Sequence, residues 1–69
     1  MMQRAMWKGA DRPCDGGGVL RNMHFYAVDP RIMPVREIDL VVVPEGGKTV
    51  HFFYESEEDM RKEWSFWID

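Results

Sequence analysis

Apolar and polar positions alternate most regularly between residues 37 and 55. Glu37-Ile-Asp-Leu-Val-Val-Val43 alternates at first and then runs apolar, the pattern of a strand covered on both sides near its end. Successive strand side chains point to opposite sides, so Ile38, Leu40 and Val42 share one face. Pro44-Glu-Gly-Gly-Lys48 carries turn chemistry, because glycine adopts positive φ without a steric penalty. Thr49-Val-His-Phe-Phe-Tyr-Glu55 follows, rich in β-branched and aromatic residues. Val50, Phe52 and Tyr54 fall on one face, with Thr49, His51, Phe53 and Glu55 on the other. The pattern predicts strand, Gly-Gly turn, strand.

The period then changes. Ser56 with Asp59 three residues on approximates a capping box, with Asp in the place of the preferred Glu or Gln. Glu57, Glu58 and Asp59 put negative charge in the first turn, where the helix dipole favours it. At about 100° per residue, Met60, Trp64, Trp67 and Ile68 form one stripe, which predicts an amphipathic helix running to the end of the chain. Phe66 does not fit that stripe and projects towards Asp59 and Lys62.

The N-terminal half is less regular. Residues 19–28 read as a strand with Val19, Met23, Phe25 and Ala27 on one side, interrupted by Arg21. Asp29-Pro-Arg-Ile-Met-Pro34 reads as a loop, since two prolines in five residues disfavour helix and ladder alike. Met1 to Lys8 fits a short helix or an edge strand. Gly9 to Gly18 reads as a flexible connector.

Together these elements predict an α+β fold. It is a small three- to four-stranded, mostly antiparallel sheet with one C-terminal amphipathic helix packed on one face. The chain reads as a single domain, 1–69, with an N-terminal segment and Gly-rich connector over 1–18 and a β-β-β-α core over 19–69. One helix covers one face only. The other face is expected to show Val41, Val43, His51 and Phe53, with Tyr26 or Phe25 beside them, and is richer in apolar groups than a solvated face.

The stretch His51-Phe-Phe-Tyr-Glu-Ser-Glu-Glu-Asp-Met-Arg-Lys-Glu-Trp64 resembles the last strand and helix of pleckstrin-homology domains. The remainder is too short for the seven-stranded barrel of that family, and a capped helix after a strand produces the same pattern. No lipid-binding role is carried over.

Composition sharpens this outline. Sixty-nine residues with 45% hydrophobic and 30% charged groups describe a globular chain of marginal stability. The longest wholly apolar run, Leu40 to Val43, is far short of the roughly 20 residues a membrane helix needs. Cys14 is the single cysteine, which forms no intrachain disulfide and fits a cytoplasmic location. The net charge of −3 divides unevenly. Residues 1–36 carry six basic and three acidic groups, and residues 37–69 three basic and nine acidic. Such a split serves a charged partner or neutralises itself when the halves pack.

Candidate chemistry is sparse. Gly46-Gly-Lys-Thr49 resembles the end of a P-loop, but Val42 stands where the first glycine belongs and a strand follows, not a helix. Cys14, His24 and His51 are the soft or borderline metal ligands, at spacings that match no local ligand pair, so no metal or other cofactor is expected. Cys14 sits in a Gly/Pro-rich connector, a poor mount for a nucleophile. Arg4, Trp7, Lys8, Arg12 and Arg21 mix cations with an aromatic ring as single-strand binders do, against a whole-chain pI near 5.3.

The expectation is therefore a small non-enzymatic protein-binding module, an inhibitor or adaptor that occupies a partner through an acidic and aromatic face. The residues expected there are Phe53, Glu58, Asp59, Glu63, Phe66 and Asp69. In size and charge balance the chain is similar to small acidic phage-encoded inhibitors. The alternatives are an obligate homodimer using the spare sheet face or edge, and a nucleic-acid binder using the basic N-terminal half.

Overall fold

The computed structural model describes residues 1–67. Its elements run β1 (Gln3–Trp7), β2 (Arg12–Pro13), β3 (Val19–Leu20), β4 (Phe25–Ile32), β5 (Ile38–Val43), β6 (Val50–Tyr54), α1 (Glu57–Glu63) and β7 (Trp64–Phe66). The class is α+β, with five strands in the main sheet rather than three or four. Their order is β6-β5-β4-β1-β7, and every neighbouring pair is antiparallel. β2 and β3 form a separate small hairpin within the long connection from β1 to β4.

The β5–β6 hairpin forms as its alternation requires, with Ile38 opposite Tyr54 and Val42 opposite Val50. Ile38, Leu40 and Val42 are buried as one face. β1 is a strand, and an interior one, held between β4 and β7. Its alternation buries Ala5 and Trp7 and turns Arg4 and Met6 outward.

Two N-terminal expectations are corrected. The strand expected over 19–28 is split by a turn: β3 ends at Leu20, and β4 begins at Phe25. Met23 takes positive φ there, and Asn22 ties the turn to the chain after β1, its side-chain amide donating to the Lys8 and Gly9 carbonyls at 3.1 and 2.7 Å. In β4 it is Tyr26 and Val28 that face the core. The expected loop from Asp29 is instead strand as far as Ile32, with Pro30 opposite Leu40. β1 reaches only to Gln3, opposite Val28, so beyond that point β4 is open on one side and a proline there costs no ladder bond.

The connector 9–18 is packed against its surroundings. Gly18 and Gly47 meet backbone to backbone, and a Cβ on Gly47 would overlap the Gly18 main chain. Val19 N–H donates to the Glu45 carbonyl at 3.2 Å across the same crossing. Glycine is required there by proximity rather than by flexibility.

The largest correction is the C-terminus. Ser56 caps α1 as expected, its Oγ accepting from the Asp59 N–H at 3.2 Å. The helix then stops at Glu63, and Trp64 is already extended. Trp64, Ser65 and Phe66 form β7 against Trp7, Met6 and Ala5. Met60 and Trp64 are core, but Trp67 is 60% exposed, and Ile68 lies outside the described residues. Only Met60 is buried within α1 itself.

The sheet rather than the helix encloses the core. Phe52 on β6 and Trp64 on β7 belong to strands at opposite ends of the sheet, yet their ring centroids are 6.1 Å apart. Trp7 completes the cluster, 5.0 Å from Trp64 and 6.1 Å from Phe52. The sheet must curl for this to happen, as twisted antiparallel sheets do when one face is apolar.

Candidate functional site

The residues expected to act together are dispersed. Phe53 is 66% exposed on the outer face of β6. Phe66 points the other way, half-buried against the core, with the Arg61 guanidinium 5.5 Å above its ring. Asp59 donates its backbone N–H to the Ser56 cap and pairs within its own helix, its carboxylate 3.3 Å from Lys62. Glu63 accepts a 2.6 Å hydrogen bond from the Tyr54 hydroxyl, which itself accepts from Trp64 Nε1 at 3.0 Å. Burial, reinforced by the Glu63 carboxylate, pushes the Tyr54 phenol well above its ordinary range. Glu63 is thus a structural acceptor beside the core. Glu58 is exposed, and Asp69 lies outside the described residues. Among the described residues, Phe53 and Phe66 therefore face opposite ways, one to solvent and one to the core.

The outer sheet face matches the expected composition. Val41, Val43, His51 and Phe53 occupy it, with Phe25 beside them and Tyr26 turned inward. His51 Nδ1 lies 2.8 Å from the carboxylate of buried Asp39 and gives it a hydrogen-bond partner. The His51 and Phe53 rings stack at 6.2 Å. At the far side Phe25 meets Trp67 edge-on at 5.8 Å.

A groove that sequence reasoning missed opens at one end of the curled sheet, with a volume of about 860 Å³. Ile38, Met60 and Phe66 form its apolar base, and Ile32, 79% exposed, forms part of its rim. The β4–β5 connection carries one wall, where Arg36 adopts positive φ and its N–H donates to the Met33 carbonyl at 2.9 Å. Glu55, Ser56 and Glu57 at the start of α1 carry the other. The signal in the sequence was Ile32 itself, an apolar residue in a stretch read as loop, which a solvated loop does not need.

The remaining candidates stay apart. Among the described residues no three metal-ligating side chains come together. Cys14 packs beside the core, and burial raises its thiol pKa, opposing the thiolate form. Of the basic and aromatic set, Trp7 is core, Arg21 is 3.9 Å from Asp11, and Arg12 covers Phe52 at 4.7 Å. Each ion pair among the described residues joins groups from the same half of the chain, so the charge split is not cancelled pairwise. None of the helices among the described residues is long and apolar enough to cross a membrane.

Comparison with protein-family models, with curated proteins and with solved structures finds no match for this chain.

Proposed function

We propose that this chain is a small non-enzymatic binding module whose groove takes an apolar side chain from a segment of a partner protein. The observation that carries the reading is the groove itself, apolar at its base and lined at its rim by exposed Ile32. Such a site desolvates a bulky anchor while polar walls set its orientation. Charge gives the partner a polarity. Glu55 and Glu57 stand on the helix wall; Glu57 is paired there with Arg61 at 3.0 Å, which leaves Glu55 as the carboxylate that favours a basic flank on that side. Arg36 on the opposite wall favours an acidic one. The module acts by occupying its partner, as an inhibitor or adaptor does.

Quantitative affinity capture from extract of the source cells tests this with two surface variants. Ile32→Glu places a charge on the apolar rim without touching the core, and Glu55→Lys reverses the charge of the opposite wall. A partner retained by the parent chain should fall about tenfold or more with Ile32→Glu, the loss of one anchor contact, and several-fold with Glu55→Lys. Equal retention by parent and both folded variants removes the groove from the function.

A further inference from the structure

We propose that the outer sheet face around β1 binds single-stranded nucleic acid, its bases stacking on Trp67 and Phe25 and its phosphates meeting Arg4 and Lys8. Arg4 and Met6 are the outward residues of β1. Ala27 and Phe25 lie opposite them on β4, and Ser65 lies opposite Met6 on β7. Backbone bonds carry the β1–β7 ladder one residue further at each end. Trp67 N–H donates to the Arg4 carbonyl and Lys8 N–H to the Glu63 carbonyl, both at 2.8 Å. Trp67 therefore stands beside Arg4, and Lys8 continues the alternation of Arg4 and Met6. The Phe25 and Trp67 rings meet edge-on, so neither covers the other, and both remain exposed. The Arg4 guanidinium lies 6.0 Å from the Phe25 centroid. A hollow of about 480 Å³ opens beside them, lined by Met2, Gln3, Arg4, Ala27 and Trp67. Exposed rings next to a cation are what a base and its phosphate require.

Charge selects the class of ligand. The chain is acidic overall, but its acids lie elsewhere or are already matched. Among the outward positions within the strands of the main sheet, only Asp29 and Asp39 are acidic. Each of these side chains is 13% exposed. Asp29 is paired with Arg31 and the N-terminal amine, and Asp39 with His51. Glu57, Glu58 and Asp59 are on α1. Neither Arg4 nor Lys8 forms an ion pair with any described residue. The unmatched charge on β1 is thus positive and fits a polyanion. The rings favour nucleic acid over an acidic peptide, because every base offers a π face. They favour a single strand, because its bases are free to leave their own stack.

Fluorescence anisotropy of a labelled single-stranded oligothymidine of about ten nucleotides, titrated with the full chain at low salt, tests this. Saturable binding is expected, with a slope of log affinity against log salt of about −1.4 for two phosphate contacts. Arg4→Ala should weaken binding and reduce that slope by about 0.7, which a purely architectural role would not do. Trp67→Ala should weaken binding about fivefold or more and leave the slope unchanged. Trp7 and Trp64 are buried, so quenching of tryptophan emission by bound oligonucleotide should come from Trp67 and vanish in Trp67→Phe. Phe53→Ala, on the same face but on β6, and Ile32→Glu, in the groove, should change neither affinity nor slope. The groove and this face are therefore read separately. No binding up to about 0.1 mM chain at low salt overturns the inference. So does binding that folded Arg4→Ala and Trp67→Ala retain in full, or oligoglutamate competing as well as unlabelled oligothymidine at equal charge.

Discussion

Trp64 shows how much one residue holds in so small a chain. It is 1% exposed, it touches Trp7 and Phe52, and its indole N–H is satisfied by the Tyr54 hydroxyl. Trp64→Ala removes the contact between the two ends of the sheet and leaves that hydroxyl without its donor. The expected cost is about 3–5 kcal/mol, which is most of the stability of a domain this size, and urea unfolding measures it directly. Tyr54 carries a pH signature. Its folded-state pKa is raised, so its contribution is fully present below the ordinary phenol value of 10.0 and is lost as pH rises further. The melting temperature of the parent chain should therefore fall more steeply from pH 9 to 11 than that of Tyr54→Phe. Equal slopes would mean that the Tyr54–Glu63 bond does not oppose ionisation. Neither role could be read from Tyr54 alone. Its alternation with Val50 and Phe52 marked it as inward-facing, but its partners, Glu63 and Trp64, arrive from the far side of a helix.

At the scale of elements, legibility followed the range over which each signal acts. The β5–β6 hairpin and the Ser56 cap rest on neighbouring residues, and both formed where the pattern put them. The C-terminal helix was overextended because Met60 and Trp64 satisfy a helical spacing while Trp64 and Phe66 satisfy a strand spacing. Phe66, the ring that would not join the helical stripe, was the sign that the period had changed. What decided between the two was the edge of β1, which is more than fifty residues away in sequence and offered Trp64 and Phe66 a ladder. Separation along the chain likewise hid the reason for two glycine clusters. Gly18 and Gly47 look like loop residues separately, and only their crossing explains both. Gly47→Ala should therefore destabilise by about 1–3 kcal/mol through forced separation of two main chains, seen as a lower urea midpoint. A change no larger than a surface substitution would mean that the loops are not tightly apposed.

At the scale of the molecule, five short strands and a seven-residue helix make a core by curling one sheet upon itself. That geometry creates the groove at one end and leaves β6 as the longer open edge. It also separates the residues first expected to form one binding face, sending Phe53 outward and Phe66 inward. By itself the sequence determined the α+β class, the hairpin, the helix start and the apolar outer face, because alternation and capping act between near neighbours. The tertiary structure alone decided that Met1 to Lys8 contributes an interior strand, that the chain returns to strand at Trp64, and where an apolar groove opens. The physical reason is that strand pairing and cavity shape depend on residues far apart in the chain, and no local period carries their register.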